Sequence, residues 1–155
     1  KNQRQWAAKP LAADEARAFR TARRAHAIRH VFAHSSYLIN LGNPNPALWS
    51  QAVAAFTDEL ERAEALGLSC VVIHPGSHMG TGLEIGLARV TAAIDESLAR
   101  TAGYRVKVAL ENTAGAGNTI LGTTVKGNLH CDHNADVGGS GNTVGGKRRG
   151  QCAGV

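Results

Sequence analysis

Apolar residues in the first three quarters of the chain follow helical spacing in some stretches and form short continuous runs in others. These two patterns are typical of amphipathic helices and of strands that are covered on both faces. The pattern predicts six elements, which are, in chain order, a helix over Pro10–His26, a strand over Ile28–Ala33, a helix over Ala47–Leu66, a strand over Leu68–Ile73, a helix over Leu83–Thr101 and a strand over Val106–Leu110. Gly67 and Gly103 follow the last two helices, where glycine adopts the left-handed conformation that ends a helix without steric cost.

The alternation of strands and helices predicts an α/β fold. Helices of this length between successive strands place the strands parallel in one sheet, with right-handed crossovers. A β/α barrel and an open α/β sheet both fit this order, and in both the functional side chains gather at the carboxyl ends of the strands. We expect about three consecutive βα units within residues 1–117.

Residues 118–155 differ from the preceding chain in composition. They contain nine glycines and a basic run at 147–149, and no hydrophobic period continues after Val125. A segment of this kind buries too little apolar surface to offset the entropy that it loses on folding. We therefore interpret residues 118–155 as a disordered tail, and a shifted reading frame in a GC-rich gene is a hypothesis for its origin.

Composition and charge limit the class of protein. The chain has 155 residues, 43% of them hydrophobic, which is enough for the core of one domain. No apolar run is long enough for a membrane span, and an odd, sparse set of three cysteines is typical of a reducing compartment, so we expect a cytoplasmic protein. Residues 1–30 hold eight of the lysines and arginines but only two acids, which suits an anionic partner or, alternatively, a solvated helix face.

Three potential metal ligands directly follow the three predicted strands. These are His34, His74 and Glu111, and the intervals of 40 and 37 residues (74 − 34 and 111 − 74) each match one strand-plus-helix unit. If the strands are parallel neighbours, their carboxyl ends bring two imidazoles and a carboxylate together. Such ligands suit zinc, manganese or iron, and a carboxylate can also bridge two metals. The spacing therefore predicts a metal site at this edge of the sheet.

Other histidines have weaker signals. His78 lies four residues after His74, beyond a Pro-Gly turn, and a metal ligand, a phosphate contact and a simple loop residue are all open interpretations. A Cys/His cluster at residues 130–133 matches no closed four-ligand zinc pattern, so we predict no site there.

Five sequence motifs together resemble one known family. They are Lys-Asn-Gln-Arg-Gln-Trp at residues 1–6, His-Ser-Ser-Tyr-Leu-Ile-Asn-Leu-Gly at 34–42, Ala-Leu-Gly-Leu-Ser at 65–69, His-Pro-Gly-Ser-His at 74–78 and Glu-Asn-Thr-Ala-Gly at 111–115. In this order they are similar to bacterial endonuclease IV, the family of metal-dependent apurinic/apyrimidinic endonucleases. The resemblance covers residue 1 to about residue 117.

The resemblance implies a fold, an activity and roles for particular residues. It implies a TIM-type β/α barrel with a trinuclear zinc site that cuts the phosphodiester 5′ to an abasic site in double-stranded DNA, leaving a 3′-hydroxyl, in a cytoplasmic monomer without a membrane partner. By resemblance, His34 and His74 ligate one zinc, and Glu111 bridges that zinc to a second and acts in catalysis through this bridge. Arg4, Tyr37 and Leu38 then enter the DNA at the lesion, where an aromatic and an aliphatic wedge offset the cost of unstacking.

The chain also departs from the family pattern. A complete β/α barrel has about 250 residues and eight strands, whereas the family-like part of this chain supplies three. Residues 118–155 show no convincing counterpart of the family's later zinc ligands, so we expect at most one zinc to be retained and the activity to be impaired. Two unpaired sheet edges predict marginal stability. A sugar isomerase or epimerase of similar barrel fold, and a non-catalytic DNA- or metal-binding fragment, are the alternative functions.

Overall fold

The computed structural model describes residues 5–111 and the residues of six short strands between 118 and 150. The chain divides into two compact units, an N-terminal unit of residues 1–112 and a C-terminal unit of residues 113–155. None of the helices in the described part of the chain has the length and apolar character needed to cross a membrane.

The N-terminal unit contains all six elements that the hydrophobic pattern predicts. They are α1 (Ala13–Ala25), β1 (Ala33–His34), α2 (Pro46–Leu66), β2 (Cys70–Ile73), α3 (Leu83–Arg100) and β3 (Lys107–Leu110). The three strands form a parallel sheet in the order β1-β2-β3, so α2 and α3 are crossovers between neighbouring strands, and α1 precedes the sheet. The predicted α/β order and the parallel sheet are both confirmed.

Local signals explain where α2 begins and ends. The Asn45 side chain accepts hydrogen bonds from two backbone N–H groups in the first turn, those of Ala47 at 3.0 Å and Leu48 at 3.2 Å. Such a cap satisfies donors that have no partner within the helix. At the other end Gly67 has a φ of 69°, the left-handed conformation expected of it. By contrast α3 ends at Arg100 with Thr101 as its cap, and Gly103 lies further along.

The first predicted strand is the element that the structure changes most. It is only two residues long, and Ile28 and Phe32, which the prediction placed in the strand, are 51% and 64% exposed. The Arg23 guanidinium at the end of α1 donates hydrogen bonds to the carbonyl oxygens of Ile28 and Arg29. The backbone at residues 28–29 is therefore held at the end of the helix, and its carbonyls are not available to the sheet.

The core of the N-terminal unit lies between α2 and the sheet. Phe56 and Leu60 of α2 and Val71 and Ile73 of β2 are fully buried. Elsewhere in the unit apolar side chains are exposed, and the large ones on α3 and β3 are Leu83, Ile85, Leu87, Leu98 and Leu110. Within the described sheet β1 and β3 are the edge strands. The outer side of each is unpaired in this sheet, as expected for part of a barrel.

The C-terminal unit contains short paired strands that the sequence analysis does not predict. They are β4 (Asn118–Leu121), β5 (Thr124–Val125), β6 (Leu129–Cys131), β7 (Val137–Ser140), β8 (Thr143–Val144) and β9 (Arg148–Gly150). They pair in parallel as β4-β7, β5-β8 and β6-β9, and every pair joins residues that are 19 apart in sequence, for example 118 and 137. Hydrophobic periodicity within single strands and helices cannot reveal this arrangement, because the strand pairs follow a sequence interval of 19 residues. The disordered character and the shifted-frame origin of residues 118–155 stay predictions.

Candidate metal centre

The carboxyl ends of the three parallel strands bring His34, His74 and Glu111 together. Each residue offers one ligand atom, and these atoms all lie within 4.8 Å of one another. Backbone hydrogen bonds continue the ladder past the strand ends, from Ser35 N–H to the Val72 carbonyl at 2.7 Å and from Glu111 N–H to the Ile73 carbonyl at 3.0 Å. The sheet therefore fixes the position of all three side chains, as the strand-end spacing predicted.

The two ring nitrogens of His34 face different kinds of acceptor. Nδ1 lies 2.9 Å from the carbonyl oxygen of Ser35, and Nε2 lies 2.9 Å from Oε2 of Glu111. A carbonyl oxygen only accepts, so Nδ1 carries a proton and donates it. The hydrogen bond to Ser35 raises the pKa of His34, and Glu111 also raises it, while partial burial acts in the opposite direction. Nε2 is therefore the ring nitrogen that faces the carboxylate.

His74 repeats the arrangement of His34. Its Nδ1 lies 3.2 Å from the backbone carbonyl of Glu111, and its Nε2 lies 4.0 Å from Oε2 of the same residue. Metal-binding histidines almost always donate their other ring N–H to a carbonyl or carboxylate, which fixes the tautomer and the ring orientation. Both imidazoles are thus held with Nε2 directed at one shared carboxylate oxygen.

The donor set fits a zinc ion. Ligand atoms around a tetrahedral zinc are about 3.3 Å apart, since zinc–nitrogen and zinc–oxygen bonds are about 2.0–2.2 Å long. The separations from Glu111 Oε2 to the two Nε2 atoms, 2.9 Å and 4.0 Å, lie on either side of this value. The Glu111 side chain is 50% exposed, so the site is open on the carboxylate side. Three protein ligands with an open position are typical of catalytic zinc.

Tyr37 lies over the two histidines. Its ring stacks on that of His74, with centroids 5.5 Å apart and planes at 18°, and lies 5.7 Å from the ring of His34. The side chain is nevertheless 61% exposed. Leu38 is half-buried, and Arg4 lies outside the described residues. The structure therefore brings one of the three predicted DNA-contacting residues next to the candidate metal ligands.

His78 belongs to the loop before α3. Its Nδ1 accepts hydrogen bonds from the backbone N–H groups of Gly80 and Gly82, both at 3.2 Å. Gly82 is the residue that caps the start of α3, so the imidazole holds the turn that leads into the helix. Of the three interpretations that the sequence leaves open, this geometry favours the loop residue. The side chains of the cluster at residues 130–133 lie outside the described part of the chain.

One contact between the loop after β1 and the loop after β2 was not identified from the sequence, and we call it the brace. The Asn40 side chain, in the loop after β1, makes two hydrogen bonds to the backbone of Ser77, in the loop after β2. Asparagine is common in loops because its side chain hydrogen-bonds the nearby backbone and because it tolerates the left-handed conformation. A single asparagine therefore carries no sequence signal that identifies it as a bridge to a residue 37 positions away.

A separate cavity of about 390 Å³ lies near the ends of α1 and α2 and is lined by several arginines. Arg20 and Arg23 donate hydrogen bonds to the carbonyl oxygens of Ala65 and Gly67, which belong to the end of α2. Cations in this position satisfy carbonyls that have no partner within the helix. These arginines therefore stabilise helix ends, and they lie near the residues that lead into β2, not near those that follow it.

Comparison with known proteins identifies the family. The model of the xylose isomerase-like TIM barrel family matches residues 1–131. The chain belongs to this family. The region that matches this family extends beyond residue 117, where we expected the resemblance to end. It reaches Cys131, the last residue of β6.

Individual relatives confirm the more specific resemblance to endonuclease IV. A protein named probable endonuclease 4 from Chloroflexus aurantiacus is 48% identical over 120 residues, which cover 77% of this chain and 42% of that protein. A protein of the same name from Campylobacter fetus is 40% identical over 143 residues, covering 86% of this chain and 49% of that protein.

A solved structure shows the same likeness in three dimensions. The crystal structure of endonuclease IV from Thermus thermophilus matches with a TM-score of 0.63 and 39% identity, and the match covers 74% of this chain and 40% of that one. The chain thus spans less than half the length of each of these three proteins. The predicted fragment of a TIM-type barrel is confirmed.

Proposed function

We propose that this chain contributes part of the metal centre of a DNA-repair endonuclease that hydrolyses the phosphodiester 5′ to an abasic site with the help of zinc. The observation that carries the proposal is the orientation of the two histidines. Each donates its Nδ1–H to a backbone carbonyl and directs Nε2 at one carboxylate oxygen. The names of the relatives, probable endonuclease 4, supply the reaction class.

In this proposal His34 and His74 hold one zinc through Nε2, and Glu111 holds it through Oε2. When bound, zinc supplies Lewis-acid activation of a phosphoryl group. The second carboxylate oxygen of Glu111 is available to a neighbouring metal, which is the bridging role that the resemblance implies.

Tyr37 and Leu38 act at the lesion in the same proposal. An exposed aromatic ring next to the metal site can fill the space in the base stack that an abasic nucleotide leaves open. The stacking contact with His74 places this ring close to the proposed zinc ligands. Recognition of the lesion and binding of the reacting phosphate would then use adjacent loops. Arg4 is the third residue of this set and supplies positive charge.

A sugar isomerase or epimerase is the first alternative, because the family as a whole is described as xylose isomerase-like. The exposed Tyr37 favours a nucleic acid over a small sugar, since a sugar pocket does not need a projecting wedge. The second alternative is a non-catalytic fragment that binds metal or DNA. Within residues 5–111 the ligand group consists of three residues, which suffices for one metal ion and not for a cluster.

Zinc binding tests the site directly. Titration calorimetry with zinc alone is expected to show one site per chain, and His34→Ala or His74→Ala is expected to weaken it by more than about 100-fold. His26→Ala is the matched control, because His26 is an exposed histidine at the end of α1, away from the three strand ends. Equal zinc affinity in the His34→Ala and His26→Ala variants would refute the metal site.

DNA assays separate the endonuclease from its alternatives. The chain is incubated with zinc and a duplex that contains one abasic site, and cleavage and gel mobility are measured in parallel. Cleavage 5′ to the lesion supports the endonuclease, and binding without cleavage supports a DNA-binding fragment. Neither result would contradict both of these and leave only a metal-binding fragment, which the zinc titration tests. Tyr37→Ala is expected to reduce the preference for the abasic duplex over an intact one. Tyr104→Ala is the control, since Tyr104 lies before β3, at the amino ends of the strands and therefore at the end of the sheet opposite the three candidate ligands.

A further inference from the structure

We propose that Asn40 is a positioning residue that fixes the loop after β1 to the loop after β2 and thereby keeps Tyr37 stacked on His74. Tyr37 belongs to the first loop and His74 begins the second, so their contact depends on the relative position of the two loops. The consequence for zinc binding rests on the proposed function, whereas the consequence for the ring contact does not.

The Asn40 side chain joins the loops by two hydrogen bonds to one residue. Its Oδ1 accepts the backbone N–H of Ser77 at 2.8 Å, and its Nδ2 donates to the backbone carbonyl of Ser77 at 2.9 Å. A side-chain amide that pairs with both groups of one peptide residue imitates a strand neighbour. Because both contacts are to backbone, the brace depends on Asn40 itself and not on the side chain at position 77.

A third hydrogen bond fixes the direction of the amide group. Oδ1 also accepts the backbone N–H of Gly42 at 3.0 Å, within its own loop. Two N–H donors therefore meet the oxygen and one carbonyl meets the nitrogen, so a flipped amide would break all three contacts. The side chain has one orientation that satisfies its surroundings, which suits a positioning role.

The two loops also approach each other closely at two glycines. Gly76 has a φ of 100°, and a Cβ added there would overlap Oδ1 of Asn40. A Cβ added at Gly42 would lie 3.2 Å from the carbonyl oxygen of Ser77. A side chain at position 76 would displace the Asn40 amide, and one at position 42 would require a shift of a few tenths of an ångström, so the backbone on both sides of the brace is closely fitted to it.

Core residues hold the brace in place. Ile39 and Leu41, on either side of Asn40, are buried in the hydrophobic core and anchor the first loop. On the second loop, Ser77 lies three residues after His74, and its hydroxyl accepts the backbone N–H of Met79 at 3.2 Å. The brace therefore connects an anchored segment to the segment that carries a proposed zinc ligand.

Nuclear magnetic resonance of the full chain without metal tests the ring contact. Stacking on Tyr37 shifts the ring-proton signals of His74, and Tyr37→Leu gives the unstacked reference position. In Asn40→Ala the His74 signals are expected to move at least halfway to that reference. Asn40→Asp retains Oδ1 as an acceptor but replaces the donor Nδ2 by an oxygen that faces the Ser77 carbonyl, so the signals are expected to move in the same direction.

Two further variants serve as controls. Asn43→Ala removes a loop asparagine whose Oδ1 accepts the nearby Asn45 N–H, and Thr57→Ala removes a buried hydrogen bond inside α2. Both are expected to leave the His74 signals in place, although Thr57→Ala lowers stability. Unchanged signals in Asn40→Ala, or equal shifts in Thr57→Ala, would overturn the proposal, because the contact would then be independent of the brace or sensitive to any loss of stability.

Zinc affinity provides the second readout. Residues that orient metal ligands typically contribute about 10- to 100-fold to affinity, and we expect a loss of about tenfold in Asn40→Ala and no loss in Asn43→Ala. An unchanged affinity in Asn40→Ala would overturn the link between the brace and the metal site. If the unmodified chain binds no zinc, the proposed function fails at that point, and the His74 signals still decide whether Asn40 holds the loops together.

Discussion

The N-terminal and C-terminal units both contain parallel strands, but the connections between paired strands differ in length and in structure. In the N-terminal unit paired residues are 37 or 38 apart, as in 70 with 107 and 33 with 71, and a helix lies between each pair of strands. In the C-terminal unit paired residues are 19 apart throughout, and its described residues include no helix.

The difference shows that two kinds of sequence information specify parallel strands. The N-terminal unit is specified by hydrophobic periodicity, since α2 and β2 bury a shared core. In the C-terminal unit the pattern Gly-x-Thr-Val-x-Gly occurs at residues 122–127 and again at 141–146, with the same separation of 19 that relates its strands. A search for internal repeats detects the second kind of information, and a search for amphipathic periods detects only the first.

The largest expected effect comes from the core of the N-terminal unit. Phe56 is fully buried between α2 and the sheet, and Phe56→Ala is expected to lower the free energy of unfolding by about 3–5 kcal/mol. Two open sheet edges predict a marginally stable N-terminal unit, so we expect this loss to unfold it, as measured by urea denaturation and hydrogen exchange of the α2 amides. Leu48→Ala is the control on the same helix, because Leu48 is exposed. An equal effect of the two substitutions would show that the core is not where the structure places it.

The next prediction concerns the C-terminal unit alone. One glycine inserted after residue 134 changes the separation of all three strand pairs from 19 to 20. If the repeat of 19 residues sets the pairing, a separation of 20 forces the strands out of register, and a slip of one residue turns every side chain of a strand to the opposite face. Protected amides at residues 118–150 are then expected to be lost while those of α2 are unchanged, and retained protection would show that the connection absorbs the extra residue. Hydrogen exchange of both units in one sample measures this. Absence of protection before the insertion would instead support the disordered tail that the composition predicts.

Much of the N-terminal unit follows from the sequence, and the exceptions have physical causes. The grouping of His34, His74 and Glu111 is predictable because each residue directly follows a strand, and neighbouring parallel strands have their carboxyl ends at the same end of the sheet. The short β1 is not, because the side chain of Arg23 competes for the carbonyls of residues 28–29. The brace at Asn40 is equally hidden, since it depends on how two loops meet and not on any periodic pattern. Sequence periods thus locate the strand ends, and side-chain contacts determine the loops.

A pair of substitutions tests the role of glycine in the loop after β2. Gly76 and Gly80 both have a positive φ, of 100° and 89°, but a Cβ at Gly76 would overlap Asn40. A Cβ at Gly80 would meet no atom within 4 Å among the described residues other than its chain neighbours. Gly80→Ala therefore introduces only backbone strain of about 1 kcal/mol, and Gly76→Ala adds a steric overlap for a total of about 2–3 kcal/mol. Thermal unfolding of both variants measures the difference. Equal losses would mean that position 76 needs glycine for its φ alone.

The smallest expected effect is the pH dependence of the contact between α2 and β3. Oε2 of Glu64 accepts the backbone N–H groups of Arg105 and Val106, both at 2.9 Å. The hydrogen bond from Val106 lowers the pKa of Glu64 below its ordinary value of 4.5, and that from Arg105 adds to it, while partial burial opposes them. A carboxyl whose pKa is lower in the folded state stabilises that state above the unfolded value. This stabilisation is lost as the pH falls through the folded value.

Glu64→Gln is therefore expected to cost about 1 kcal/mol at neutral pH and to cost progressively less below pH 4.5. The measurement is urea denaturation of the unmodified chain and the variant over this range. Glu61→Gln, an exposed change on the same helix, is the control and should show no such convergence. A constant difference between the unmodified chain and Glu64→Gln at every pH would show that the charge of Glu64 does not stabilise the junction. The start of β3 would then be held by the pairing of Lys107 with Cys70 and by the packing of Val106, which is buried in the core.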